Sequence, residues 1–202
     1  MPTYRLFPTL VHSARLQSGR WRAFNNQLLR ECLQLRDDDE AGRRWSARNY
    51  PGGYTSYGSA SRMHRVSPTF AALEKKLAPH VKTFVRALGY DMTGRRLEMT
   101  DCWVNIMPRQ VVHGLHLHPL STISGTYYVQ TPKGCPGIKL EDPRLDRFMA
   151  APPRKVGAAR PWVVLPAQAG SFVLFESWLR HEVAPNPQRE ERISISFNYG
   201  WF

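Results

Sequence analysis

Arg192-Ile193-Ser194-Ile195-Ser196-Phe197-Asn198-Tyr199 alternates polar and apolar residues at every step. Successive side chains of an extended strand point to opposite faces. Arg192, Ser194, Ser196 and Asn198 therefore share one side, and Ile193, Ile195, Phe197 and Tyr199 the other. On alternation alone, the simplest reading is a half-buried strand with its polar face in water. The other reading turns the polar face inward, where buried polar groups must find partners. A small ligand carrying a carboxylate would be one: arginine offers it a planar fork, and the serine two residues on adds a donor from the same side.

Moving upstream, Glu98–Met107, Ser124–Gln130, Gly137–Glu141, Trp162–Leu165 and Gly170–Phe175 are further short runs rich in Val, Ile, Phe, Tyr and Trp, separated by Gly and Pro. Together with Arg192–Trp201 they show no alternation with helices, which argues against a parallel doubly wound sheet. Ahead of them the chain reads helical. Trp21, Phe24, Leu28, Cys32 and Leu35 mark one helix face, ended by Asp37-Asp38-Asp39 and Gly42. Residues 46–62, with Pro51, three glycines and four serines, read as a loop. Its tyrosines, Tyr50, Tyr54 and Tyr57, either line a pocket or pack the loop on itself. Ser67 caps a second helix, Pro68 suits its first position, and Phe70, Leu73, Leu77, Val81, Phe84 and Leu88 form its core face up to Gly89. Pro79 predicts a kink or two short helices. The fold class is thus α+β: N-terminal helices, then strands closing into a sandwich or double-stranded barrel. The expected organisation is a single domain over 1–202, with a mainly helical part at 1–96 packed on a barrel at 97–202. Asp142–Arg160, an irregular stretch rich in Pro and Arg, is expected to be a lid or binding element.

The chain has 202 residues, 42% of them hydrophobic, enough for a core. No apolar run approaches a membrane span, and Arg5, Pro8, His12 and Arg15 break up the start, so neither membrane insertion nor a secretory signal is expected. Cys32, Cys102 and Cys135 lack metal-type spacing and are odd in number, which fits a reducing cytoplasm rather than a disulfide framework. The net charge is +12, carried by 28 Lys and Arg spread along the chain. That spread is chiefly a solvated surface, though a basic face can also attract nucleic acid or an acidic peptide.

Three of the histidines fall within six residues, in Val112-His113-Gly114-Leu115-His116-Leu117-His118-Pro119. On a strand, His116 and His118 share a face and their rings can converge on one ion, whereas His113 has the opposite parity and is taken as a neighbour. A further histidine, His181, follows Ser177-Trp178-Leu179-Arg180, and eleven residues later stands Arg192-Ile193-Ser194.

His-x-His, a distant histidine and Arg-x-Ser resemble the iron(II)/2-oxoglutarate-dependent oxygenases over roughly residues 97–202. The resemblance is closer to a bacterial subfamily of 2-oxoglutarate/Fe(II) oxygenases. Its segments stand here, in order, at Trp103–Asn105, His116–Pro119, Ser124–Val129, Asp142–Arg144, Ser177–His181 and Glu191–Asn198, and Leu6-Phe7-Pro8-Thr9 is similar to its opening. The resemblance implies a double-stranded β-helix (a jelly roll). His116, His118 and His181 would be the Fe(II) ligands. Arg192, assisted by Ser194, would pair with the distal carboxylate of 2-oxoglutarate. Tyr128 would reach the same carboxylate, and Asn105 is a further co-substrate candidate. His118 departs from the superfamily pattern, which usually has Asp or Glu there, and this affects iron retention and the choice between Fe, Zn and Cu. The implied reaction consumes O2, with ascorbate supportive, and yields succinate and CO2 while hydroxylating a C–H bond of a peptide, protein or small molecule. Phe172, Leu174 and Trp178 would suit apolar walls, and core packing explains them equally well.

Two other classes stay open on the residues. One is a three-histidine zinc or cupin-type enzyme, although this has no evident use for Arg192 and Ser194, and the glutamate a cupin would carry is absent from Pro119–Gly125. The other is a basic nucleic-acid-binding module, with Arg43, Arg44, Arg48, Arg62 and Arg65 interleaved with Tyr50, Tyr54 and Tyr57.

Overall fold

The computed structural model describes the chain apart from residues 1, 5, 17–18, 146–148, 151–152, 154 and 156–160. Most of the segment expected to be a lid therefore lies outside the described residues. In chain order the elements are β1 (Val11–Arg15), α1 (Trp21–Asp38), α2 (Glu40–Asn49), β2 (Tyr54–Thr55), α3 (Met63–Val66), α4 (Pro68–Leu88), β3 (Leu97–Met107), β4 (His113–His116), β5 (Ile123–Gln130), β6 (Ile138–Glu141), β7 (Trp162–Leu165), β8 (Ser171–Glu176), β9 (His181–Val183) and β10 (Arg192–Trp201). The strands form a six-stranded sheet, β1-β8-β5-β10-β3-β2, and a four-stranded sheet, β4-β9-β6-β7. Every pairing between them is antiparallel.

Helix α4 follows its sequence signals closely. The Ser67 side chain accepts from Thr69 N and Phe70 N, Pro68 takes the first turn, and Gly89 ends the helix in the left-handed region at φ 72°. Pro79 does not split it: the helix runs unbroken for 21 residues. Pro79 and Lys75, whose carbonyl loses its donor, are both exposed, so that carbonyl is not left unpaired in the core. The reading of 46–62 as a loop needs a larger correction. Asp39 does not simply end a helix; its side chain accepts from Gly42 N and starts α2, which runs to Asn49. Gly42 is therefore inside a helix, close-packed at the cap, where a Cβ would fall 2.0 Å from Asp39 Oδ2.

The two faces of the large sheet make two cores. Leu28, Cys32, Phe70, Leu73, Leu77, Val81 and Phe84 from α1 and α4 cover Phe172, Leu174, Ile193, Ile195 and Phe197. Val173 and Phe175, of opposite parity on β8, face Ile138 and Leu140 of the small sheet and Leu179. Phe172 and Leu174 consequently belong to the helix-covered core and not to the wall of an inner cavity, and Trp178 is 45% exposed. Of the two readings, core packing holds for Phe172 and Leu174, and Trp178 fits neither.

Strand β10, between β3 and β5, is covered on both sides. Ile193, Ile195 and Phe197 meet the helices, and Arg192, Ser194 and Asn198 are at most 5% exposed on the opposite face. The polar face does not look into water. It looks into the space between the sheets, so the inward reading is the correct one.

Candidate functional site

His116 ends β4 and His181 begins β9, and the two are register partners across the antiparallel pair. His118 lies two residues beyond the end of β4, so strand alternation does not position it. Its own N–H donates to Ser177 O at 3.0 Å, folding the segment back onto the large sheet. The three ring centroids are 4.3, 5.1 and 5.2 Å apart. A nitrogen from each ring lies within 4.8 Å of the others, so small ring movements bring all three to one ion at ~2 Å.

Each ring is held in one tautomer. His116 Nδ1 donates to Gly114 O at 2.8 Å, and His181 Nδ1 donates to Leu179 O at 2.9 Å. A carbonyl only accepts, so Nδ1 carries the proton and Nε2 keeps its lone pair. His118 Nδ1 donates to Asn198 Oδ1 at 2.7 Å. Ser124 Oγ also donates to Asn198 Oδ1 at 2.8 Å and contacts Ser177 Oγ at 2.8 Å. Acceptors on the inner nitrogen that leave the outer one free are the support a metal-binding imidazole uses. Burial first, and then the neighbouring rings, push His181 down to about 3 and His118 to about 4; burial also lowers His116. All three rings are therefore neutral ligands at pH 7. These donors fit a single divalent transition ion.

His113 is outside this convergent set. A register shift between His113 and His116 breaks the simple parity argument, and the His113 ring stacks on His116 at 4.6 Å.

A narrow cavity connects the imidazoles to Arg192; Asn105, Phe175, Ser194 and Ser196 are among its other walls. Arg192 is 3% exposed. Its Nε donates to Pro136 O at 3.1 Å, and Nη1 contacts Ser194 Oγ at 3.4 Å. No carboxylate pairs with it among the described residues. Tyr128 lies against the guanidinium, ring centroid to Cζ 5.2 Å. The Tyr128 hydroxyl and Asn105 Oδ1 are buried without a hydrogen-bond partner, while Asn105 Nδ2 donates to Ser196 Oγ at 3.0 Å. A buried cation and the orphaned Asn105 oxygen on one cavity, with the orphaned Tyr128 hydroxyl on a ring against that cation, make a receptor for a small anion.

The structure thus gathers His116, His118 and His181 at one end of the cavity and Arg192 and Ser194 at the other, with Asn105 in its wall, while Tyr128 packs against the Arg192 guanidinium. Sequence reasoning did not find the supports of His118: Asn198, Ser124 and Ser177. Asn198 did share the polar face of β10 with Arg192, which was the available signal. An outer cleft opens beside His116 and His118, its lining including Trp45, Tyr50, Tyr57 and Trp103. Of the three loop tyrosines, Tyr50 and Tyr57 line it, while Tyr54 is in the core and donates to Asp39 Oδ2 at 2.9 Å. With Tyr50 and Tyr54 buried, those tyrosines do not form an exposed stacking platform for nucleic acid bases.

Residues 101–198 match the sequence model of a family described as "Putative 2OG-Fe(II) oxygenase". No curated protein sequence matches the chain. Among solved structures, the non-heme alpha-ketoglutarate-dependent epimerase SnoN from nogalamycin biosynthesis aligns with a TM-score of 0.66 and 13% identity, covering 95% of this chain and 77% of that one. HygX from Streptomyces hygroscopicus, crystallised with nickel, 2-oxoglutarate and hygromycin B, gives 0.62 and 14%, over 95% and 83%. A Pseudomonas putida prolyl-4-hydroxylase gives 0.59 and 15%, over 95% and 92%. At such identities the likeness speaks for the fold, a double-stranded β-helix.

Proposed function

Because residues 101–198 match the sequence model of a 2OG-Fe(II) oxygenase family, we propose that this chain is a 2-oxoglutarate-dependent oxygenase that hydroxylates a C–H bond. The observation that carries the reading is the single cavity with three neutral imidazoles at one end and an unpaired buried guanidinium at the other. A zinc hydratase would leave that guanidinium unexplained.

His116, His118 and His181 would hold iron through Nε2. Iron and 2-oxoglutarate, when bound together, supply the oxidation of the substrate by O2, coupled to decarboxylation of the oxo acid to succinate and CO2. The protein's part is to hold and to exclude. Arg192 pairs with the distal carboxylate, Ser194 and Tyr128 add donors from the same side, and Asn105 contributes at the cavity wall. Phe175, Ile138 and Val183 keep that space apolar beside the metal end. Three neutral ligands leave the full charge of the ion to be balanced by the bound oxo diacid. This set accordingly retains Fe(II) less tightly than one with a carboxylate and admits Zn(II) or Cu(II) in competition.

Among the described residues the outer cleft has no charged side chain, its histidines being neutral, which suits an uncharged reacting part of the primary substrate. The net charge of +12 suits an acidic peptide or protein around it, or an anionic small molecule. We place this activity in one domain spanning 1–202 and in the reducing cytoplasm, where Cys32, Cys102 and Cys135 stay free thiols. No helix among the described residues is long and apolar enough to cross a membrane. The test is succinate release from Fe(II)-loaded protein with 2-oxoglutarate, O2 and ascorbate, stimulated by fractionated cell extract. His181→Ala and Arg192→Ala should abolish it. Unchanged turnover in Arg192→Ala would contradict the assignment.

A further inference from the structure

Tyr50 stands at the end of α2, where its N–H donates to Ser46 O at 2.7 Å and its carbonyl accepts from Gly53 N at 3.0 Å. The turn grips the ring: a Cβ on Gly53 would lie 2.4 Å from Tyr50 Cε1. The ring sits beside His113, with centroids 5.2 Å apart, and packs with Met107, Val111 and Val183. Met107 in turn touches the guanidinium, its Sδ 3.8 Å from Arg192 Nη1. Tyr50 is 6% exposed, yet its hydroxyl is buried with no hydrogen-bond partner.

Such an orphan is uncommon and asks for an explanation. Among the described residues, five buried side-chain polar atoms lack a partner. Of these, Asn105 Oδ1 belongs to a wall of the cavity that Arg192 lines, Tyr128 lies against the Arg192 guanidinium, and Tyr50 packs on Met107, which touches that guanidinium. The Arg192 charge reaches Tyr50 as well, opposing the upward push that burial gives its phenol.

We propose that Tyr50 is a co-substrate-binding residue, its phenol donating to the same distal carboxylate that Arg192 and Tyr128 hold. This rests on the reading of Arg192 given above. It adds a contact from the N-terminal half of the chain, outside the stretch that matches the family. Because the same ring lines the outer cleft, the bound co-substrate then fixes part of the wall that the primary substrate meets.

The test compares wild type, Tyr50→Phe and Arg192→Met as Zn(II)-loaded proteins, using calorimetric titration with 2-oxoglutarate and thermal melts with and without it. Removing an unsatisfied buried hydroxyl costs the ligand-free protein nothing, so the ligand-free Tm of Tyr50→Phe should equal or exceed that of wild type. Its Kd for 2-oxoglutarate should rise about tenfold and its ligand-induced Tm shift should shrink. Binding by wild type that is lost in Arg192→Met yet unchanged in Tyr50→Phe would overturn this inference alone. A ligand-free Tm lowered by the Phe substitution would assign Tyr50 to the scaffold and overturn it too. No binding by wild type would overturn both this inference and the reading of Arg192.

Discussion

His118 concentrates what is particular to this chain: an imidazole stands where the superfamily pattern places a carboxylate. Its neutral ring is oriented by Asn198 Oδ1, which also receives the Ser124 hydroxyl. Asn198→Ala should weaken divalent metal binding by about 10- to 100-fold, with little change in fold, as measured by competition with a chromophoric chelator. His118→Asp should act in the opposite sense, adding a negative charge to the set and slowing metal loss to the same chelator. At this scale the sequence was informative about residue types but not about orientation. The spacing His116-x-His118 suggested a shared strand face, whereas His118 in fact lies beyond β4 and is turned in by its N–H bond to Ser177 O. That bond joins residues far apart in sequence, and no local pattern announces it.

At the level of elements, legibility follows how local the determinants are. Helix α4 could be read because its cap, its first-turn proline, its apolar stripe and its terminal glycine all lie within the segment itself. Strands β1 and β2 were missed: the five residues Val11–Arg15 and the two residues Tyr54–Thr55 owe their strand state to β8 and β3. Strand β10 was found, but not which of its faces is wet, because it is central and takes helices on one side and the small sheet on the other. Gly125 shows how tightly the helix side is filled. It is the register partner of Phe197, and a Cβ there would fall 2.5 Å from the Phe197 ring and 2.6 Å from Val173 O. Gly125→Ala should destabilise the protein by about 1–3 kcal/mol, seen as a lower denaturation midpoint. Since β10 carries Arg192 and Asn198, the same variant should weaken 2-oxoglutarate binding.

For the molecule as a whole, the imidazole cluster couples stability to pH. The folded-state values of His118 and His181, about 4 and about 3, lie below the ordinary value of 6.5, so the unfolded chain binds more protons in that interval. Their contribution is therefore complete above about pH 6.5 and is lost as the pH falls from there towards 4 and below. Metal-free protein should show a Tm that is level above pH 7 and declines progressively below about 6.5. Bound metal should raise the Tm at neutral pH, and chelation should remove the gain. The fold follows from the paired sheets, and residues 101–198 match a 2OG-Fe(II) oxygenase model, so what remains to test is whether the two ends of one cavity serve one co-substrate. The most direct measurement is anaerobic titration of Fe(II)-loaded protein with 2-oxoglutarate, followed by its visible charge-transfer absorption. The account predicts saturation at one equivalent per chain, and none in Arg192→Met even though that variant still binds Fe(II). Full binding in Arg192→Met, or no absorption change in the wild type, would contradict it.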